Sequence, residues 1–227
     1  MVRTVKPPEE RRDEIMGVAA DLFARLGYEA TSVDQIVRAA AVAKGTFYYH
    51  FSSKKAVLEA IARKVVERMV QVSQAVLQQP GLGAMGKLVA IFAAQRMVEQ
   101  QEQTVVEHLH RPENRELHDQ INMETIRAIG PVLANVIQQG CDEGIFSVPD
   151  PLSTVQFLLA GSQVIFDQGA FAWTPDEFTA RHQAMILLIE RALGAAPGSI
   201  SLIEQALNRN PQHKGASDER SSLPDRD

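Results

Sequence analysis

Residues 28–61 read YEATSVDQIVRAAAVAKGTFYYHFSSKKAVLEAI, and this stretch decides how the N-terminal part of the chain folds. Ser32 is followed three positions later by Gln35, which is the spacing of a capping box at the start of a helix. We expect a short helix at about 33–40, a break at 41–43 and a second short helix at 44–51. Two short helices joined by so tight a turn are typical of a helix-turn-helix unit.

The second of these short helices has an inner side and an outer side. Phe47 and Phe51 lie one helical turn apart and are predicted to point into a core. The other side chains suit contact with DNA, because lysine neutralises phosphate, glycine permits close backbone approach, and hydroxyl groups bond to phosphates or base edges. These outer residues are Lys44, Gly45, Thr46, Tyr48, Tyr49 and His50.

Outside this stretch, apolar residues recur at steps of three and four, and no convincing run of alternating β-branched or aromatic residues occurs. The pattern predicts an all-α protein. Its first helix starts at Pro8 and stops at Gly27. Near the C-terminus, the segment from Met185 to Ile189 is apolar on every side of its helix, which predicts that this segment is buried on more than one face. Longer helices are expected at 53–79, 82–102, 112–140, 151–171 and 175–193.

Composition narrows the class of protein. A chain of 227 residues predicts a small domain joined to a larger one, and neither a secretory signal nor a membrane span is evident, so a cytoplasmic location is expected. The net charge is −5, but residues 1–55 carry nine Lys and Arg against seven Asp and Glu, a net of +2. Any site for a polyanion is therefore expected in the N-terminal part.

The stretch resembles the N-terminal signature of TetR-type transcriptional regulators, and the likeness runs over residues 23–61. Two positions depart from the family pattern, since the family usually has Gly in the turn where this chain has Ala41 and Ser where it has Ala43. The resemblance implies that Thr31 and Ser32 contact phosphate and that the outer residues of the second short helix form the recognition surface. It also implies a phosphate contact from Lys54, and Arg3 and Lys6 could add a basic arm.

The resemblance further implies a division of labour along the chain. Residues 1–52 would form the helix-turn-helix DNA-binding domain, residues 53–207 a helical-bundle domain for ligand binding and dimerisation, and residues 208–227 a disordered tail. The expected partners are a double-stranded DNA operator, a second copy of the chain and an unidentified small-molecule effector, without a membrane. Apolar residues near the C-terminus agree with a homodimer, because they exceed the need of one core; they are Leu158, Leu159, Val164, Ile165 and the segment 185–189.

A ligand-responsive repressor of this kind needs a pocket in the larger domain. The mostly apolar residues of that domain suggest that the ligand is a lipophilic or partly polar organic molecule. The helix at 53–79 is the expected lever, because it runs from the DNA-binding domain into the larger one. An alternative is a helical DNA-binding dimer that works without a small ligand, as an activator or an architectural protein. The candidate ligand contacts are Phe92, Arg96, Met97, His108, Met123, Phe157, Gln163 and Phe166.

Motifs for other chemistry are weak. Residues 81–86 match G-x-G-x-x-G, but they follow a helix and Pro80 and lack the strand that a dinucleotide site requires. His108 and His110 are two positions apart, so their rings would diverge by about 200° on a helix and would not share a metal ion. We therefore expect no enzyme, no cofactor and no metal site.

Overall fold

The computed structural model describes residues 7–166, 171 and 173–201 of the chain. All regular elements in these residues are helical, which confirms the all-α prediction. In chain order they are α1 (Pro8–Leu26), α2 (Val33–Ala39), α3 (Lys44–His50), α4 (Lys54–Leu77), α5 (Ala84–Gln101), α6 (Gln103–Leu109), the 3-10 turn Pro112–Asn114, α7 (Arg115–Asp142), α8 (Pro151–Ile165) and α9 (Pro175–Leu193).

Helices α1 to α3 form a compact N-terminal unit. Helix α1 ends as predicted at Gly27, whose φ of 83° is strained for residues with a Cβ. The predicted capping box of α2 is confirmed, because the Ser32 hydroxyl accepts from the backbone N–H of Gln35 and the Gln35 side chain accepts from the N–H of Ser32. Phe23 of α1 and Phe47 of α3 are fully buried in the shared core.

Helix α4 connects the two hydrophobic cores of the molecule. Its N-cap is Ser53, whose hydroxyl accepts from the N–H of Ala56 at 3.1 Å. Val57 and Leu58 near its start belong to the core of α1 to α3, whereas Val76 near its end packs in the core of α5, α7 and α8. Helix α4 therefore packs in both cores.

The middle of the chain differs from the sequence prediction. Helix α6 was not predicted, although Val105 and Leu109 on it are buried against the N-terminal core. A short segment such as 103–109 contains too few turns for a clear apolar period. The helix expected at 112–140 begins as a 3-10 turn, continues as α7 to Asp142, and includes Pro131 on its exposed side.

Close contacts of glycine fix the second core. Gly130 of α7 faces Gln156 of α8, where an added Cβ would lie 3.3 Å from the Gln156 Cγ. Gly140, near the end of α7, lies directly against the ring of Phe146, which folds back after the turn at Gly144. The backbone of α7 therefore sits close to the residues that follow it.

The C-terminal helices leave apolar side chains uncovered in the single chain. In the segment 185–189, Ile186 is buried, whereas Leu187 and Leu188 are 55% and 56% exposed. The expectation that this segment is buried on more than one face is thus not met within one chain. Phe157 of α8 is 80% exposed.

Several predictions lie outside the described residues. The basic arm with Arg3 and Lys6 falls before residue 7, and the predicted tail at 208–227 falls after residue 201. The domain boundaries at 52 and 207 remain predictions. In the parts of the chain that the structure describes, no helix is both long and apolar enough to cross a bilayer.

Candidate nucleic-acid interface

Helix α3 presents its predicted outer side to solvent. Phe47 and Phe51 are 0% and 3% exposed, which confirms that these two rings point into the core. Tyr49 is 76% exposed and Tyr48 is 50% exposed, on the sides of the helix that the core leaves free. Two adjacent exposed tyrosines give α3 an apolar surface tipped with hydroxyl groups, which suits contact with sugars, phosphates and base edges.

The first turn of α3 has room for a close approach from outside. A Cβ added to Gly45 would meet no heavy atom within 4 Å, so the fold does not require glycine at this position. Thr46 and His50 are half-buried, and the His50 ring lies 4.9 Å from the Tyr49 ring. The exposed residues of α3 are therefore Lys44, Gly45 and the two tyrosines.

Lys44, at the start of α3, is held by an ion pair with α2. Its Nζ atom lies 2.7 Å from Asp34 Oδ1, and both side chains are more than half exposed. The hydrogen bond and the charge of Asp34 raise the pKa of Lys44, and the same contact lowers the pKa of Asp34. Lys44 is thus a permanent cation at neutral pH, and a phosphate would compete with Asp34 for it.

The turn between α2 and α3 shows the effect of the two departures from the family pattern. Ala41 has a φ of 51°, in the left-handed region that glycine adopts without strain. Ala43 is the N-cap of α3 and provides no side-chain hydrogen bond to the helix. The turn therefore forms without either of the residues that would stabilise it best.

Two residues expected to bind phosphate occupy different surroundings. Ser32 is exposed at the N-terminus of α2, with its hydroxyl in the capping box. Thr31 is only 1% exposed, and its hydroxyl donates to the carbonyl of Gly27 at 2.8 Å. The expected phosphate contact from Thr31 is not supported, because its side chain closes the α1–α2 connection from within.

Lys54 also differs from the expectation. Its Nζ atom donates to the carbonyl of Tyr28 at 2.7 Å and lies 4.1 Å from the centre of the Tyr28 ring. This half-buried ammonium group ties the start of α4 to the α1–α2 connection. The structure therefore gives Lys54 a positioning role, and a phosphate contact would have to share the ammonium group with Tyr28.

An apolar cavity of about 270 Å³ lies between α5, α7, α8 and α9. Among the eight candidate ligand contacts, only Phe92 is part of the wall that the described residues form. Ser162 supplies a hydroxyl group there, and that group already donates to the carbonyl of Leu158 at 2.7 Å. The other lining residues are Leu88, Leu133, Ile137, Val155, Leu158, Leu159, Ile189, Leu193 and Ile200.

The remaining candidates are spread over the larger domain. Met97, Met123 and Phe157 are 52%, 51% and 80% exposed, so they do not line a closed site in the single chain. Arg96 is half-buried on α5, and Gln163 has a buried Oε1 atom without a hydrogen-bond partner in the described residues. Phe166 packs edge-on against Phe178 at a centroid distance of 5.4 Å. These residues do not form one pocket.

His108 is the clearest misplacement among the ligand candidates. It is 3% exposed and packs against Tyr28, with ring centroids 4.2 Å apart and ring planes tilted by 41°, at the contact of α6 with the N-terminal unit. Burial lowers the pKa of His108 and the charge of Arg111 lowers it further, while the carboxylate of Glu29 acts in the opposite direction. His108 therefore belongs to the joint between the two parts of the chain and not to the cavity wall.

Most residues of the cavity wall were not among the predicted ligand contacts. Residues such as Leu88, Ile137 and Val155 have the same apolar spacing as any core position, so the sequence contains no signal that separates the two roles. A gap between helices results from how side chains of distant elements fail to meet, which one sequence does not display.

Comparison with known families covers most of the chain. Residues 15–61 match the bacterial regulatory proteins of the tetR family, and residues 96–186 match the tetracyclin repressor-like C-terminal domain. The two matches correspond to the helix-turn-helix unit with the start of α4 and to much of the larger domain.

Curated relatives are similar mainly in parts. The repressor KstR2 of Mycolicibacterium smegmatis is 27% identical over 148 residues, which is 63% of this chain and 71% of that protein. The transcriptional activator FasR of the same species is 37% identical over 64 residues, which is 28% of this chain and 29% of that protein.

A solved structure has the same fold. A TetR/AcrR-family regulator from Thermobifida fusca superposes with a TM-score of 0.56 at 21% identity, covering 88% of this chain and 95% of that one. The likeness extends over both the N-terminal unit and the larger helical part.

Proposed function

Because the chain belongs to the TetR family of transcription regulators, which are DNA-binding proteins and not enzymes, we propose that it represses transcription as a homodimer on a palindromic operator. A small lipophilic effector releases it from the DNA. It acts in the cytoplasm, where a bacterial chromosome is accessible. The observation that carries the proposal is the solvent-facing tyrosine pair of α3 above two buried phenylalanines.

The proposed DNA contact places α3 in the major groove. Tyr48, Tyr49 and Thr46 contact sugars, phosphates or base edges, and Gly45 lets the start of the helix approach the backbone. Lys44 exchanges its partner Asp34 for a phosphate, and Ser32 adds a contact at the N-terminus of α2. Thr31 is not among the proposed DNA contacts because its side chain is buried. Lys54 positions the α1–α2 connection through its hydrogen bond to the carbonyl of Tyr28.

The proposed dimer uses α8 and α9. Phe157 of α8 and Leu187 and Leu188 of α9 leave apolar surface exposed in the single chain, which is costly in water. A two-fold partner would cover this surface and repeat the same contacts from its side. The twofold axis then supplies the second recognition helix that a palindromic operator requires.

The proposed effector site is the cavity beside Phe92. Its wall is almost wholly hydrocarbon, so a lipophilic molecule would fit it better than a charged one. A thousandfold loss of operator affinity requires about 4 kcal/mol of differential effector binding between the two conformations. Helix α4 is the proposed lever because its ends pack in different cores.

A second candidate function is transcription activation without a small ligand. One relative named an activator is 37% identical to this chain over 64 residues, which supports this second candidate. A reporter assay separates the two functions. Deleting the gene raises expression from the target promoter if the protein is a repressor and lowers it if the protein is an activator.

The direct test of the proposal is a gel shift on the DNA upstream of the protein's own gene, at two salt concentrations and with a library of lipophilic compounds. Binding should weaken steeply with salt, with each neutralised phosphate adding about −0.9 to the log–log slope. The Tyr49→Ala variant should lose binding, and the Ile145→Ala variant, changed in the exposed α7–α8 connection, should keep it.

Compounds that release the DNA should also raise the melting temperature of the free protein, by an amount that grows with the logarithm of their concentration. A gel shift that does not depend on salt, or a gel shift that Tyr49→Ala leaves unchanged, would contradict the proposed DNA contact. Stabilising compounds that never change operator affinity would contradict the effector mechanism alone.

A further inference from the structure

The joint between α6 and the N-terminal unit contains an imidazole nitrogen to which the described residues give no hydrogen bond. His108, near the end of α6, is 3% exposed, and among the described residues its Nε2 atom has no hydrogen-bond partner. The carboxylate oxygen Glu29 Oε1 lies 3.5 Å from it. Burying a polar atom without a hydrogen bond costs free energy, so this nitrogen indicates a missing partner.

Two carboxylates lie near the His108 ring. One oxygen of Glu29, one oxygen of Glu113 and a ring nitrogen of His108 all lie within 4.8 Å of one another. Glu29 comes from the α1–α2 connection and Glu113 from the 3-10 turn after α6, so the three residues converge from separate segments. Both glutamates are exposed, and their side chains can rotate.

This geometry is close to that of a metal site. Ligand atoms that share one tetrahedral ion at about 2.0–2.2 Å lie roughly 3.4 Å apart, so closure of the triangle requires movements of about 1 Å in two exposed side chains. Imidazole with carboxylates suits zinc and neighbouring transition metals, whereas magnesium prefers oxygen ligands and retains its water.

We propose that Glu29, His108 and Glu113 bind one divalent transition-metal ion such as Zn²⁺, with water completing the coordination. Arg111, whose Nη1 atom lies 4.0 Å from Glu113 Oε1, competes for that carboxylate and withdraws when the ion binds. The residues next to His108 in the sequence, such as His110, were not expected to share a metal ion with it. The fold instead supplies Glu29, a residue far away in the sequence.

The site would act as a clamp between the two parts of the molecule. Glu29 belongs to the unit that carries α3, whereas His108 lies on α6 and Glu113 on the 3-10 turn between α6 and α7. An ion held by all three would fix the position of the α1–α2 connection relative to α6. This inference concerns metal binding by the free protein and stands whether or not the proposed function is right.

The test is calorimetric titration of chelator-treated full-length protein with ZnCl₂, and with MgCl₂ in parallel. We expect one Zn²⁺ per chain and no measurable magnesium binding. Glu29→Gln and Glu113→Gln should each weaken zinc binding at least about tenfold. The matched variant Glu116→Gln, at an exposed glutamate one turn further on in α7, should bind zinc as the wild type does.

A second measurement locates the ion independently of affinity. Co²⁺ in the chelator-treated protein should give visible absorption bands that both glutamine variants weaken. Circular dichroism checks that these variants, changed at exposed side chains, keep the helical fold. Absence of zinc binding, or zinc binding that survives the double variant Glu29→Gln with Glu113→Gln, would overturn the proposal.

Discussion

At the scale of single residues, the helix-turn-helix unit combines a strained turn before α3 with open space around the first turn of α3. Ala41 occupies the left-handed region, which costs a residue with a Cβ roughly 1–2 kcal/mol. Gly45, in contrast, is a glycine that the fold does not need. Both positions therefore hold a residue that lowers stability. Ala41 strains the turn, and Gly45 is a poor helix former at the start of α3.

Replacing Ala41 with glycine should stabilise the protein. Relief of the positive φ outweighs the greater freedom of glycine in the unfolded chain, and we expect a gain of about 0.5–1 kcal/mol. Chemical denaturation measures it. The control Ala75→Gly, at an exposed helical position of α4, should lose about 1 kcal/mol instead. Equal losses in both variants would contradict the account of the turn.

Replacing Gly45 with alanine should stabilise α3 by up to about 1 kcal/mol and weaken operator binding at least tenfold. Alanine is the better helix former, but its methyl group would stand where the DNA backbone approaches. The control Gly17→Ala has the same open surroundings on α1 and should gain stability without losing DNA affinity. Unchanged DNA affinity in Gly45→Ala would argue against close approach at the start of α3.

At the scale of elements, sequence reasoning succeeded where local signals are strong. The cap at Ser32, the stop at Gly27 and the N-terminal Pro175 mark the ends of helices through the chemistry of a few neighbouring residues. Helix α6 was missed because its seven residues owe their structure to burial against a distant part of the chain. Local chemistry is readable from sequence, whereas tertiary burial is not.

The same distinction explains the candidate site. Phe47 and Phe51 were placed correctly, since one helix determines their direction. The burial of Thr31 and the contact of His108 with Tyr28 depend on how separate helices pack, and neither has a local signature. The residues that line the cavity are indistinguishable in sequence from those of the core.

Packing between elements gives a prediction at the end of α7. A methyl group at Gly140 would overlap the ring of Phe146, so Gly140→Ala should cost about 1–3 kcal/mol of stability. The midpoint of urea unfolding measures the loss. The control Gly86→Ala on α5, whose added Cβ would only touch Leu82 at 3.5 Å, should be neutral or stabilising. A neutral Gly140→Ala would mean that the turn after α7 adjusts freely.

At the scale of the whole molecule, we propose that the dimer interface is the surface of α8 and α9 where apolar side chains are exposed in the single chain. We expect the double variant Phe157→Glu with Leu188→Glu to be a folded monomer, because charges on this surface oppose its burial and both side chains are exposed in the single chain. Sedimentation equilibrium measures the mass. The control Gln183→Glu, at another exposed position of α9, should behave as the wild type does. A double variant that remains dimeric would move the interface elsewhere.

We propose that α3 lies in the groove of duplex DNA and that a second copy of the chain places its own α3 in the other half-site. Hydroxyl-radical footprinting of the wild type on its operator measures this arrangement. We expect two symmetric protected segments whose centres lie about 34–36 Å apart, or a multiple of that distance, and both should vanish with Tyr49→Ala. A single protected segment, or a footprint that Tyr49→Ala leaves intact, would contradict it.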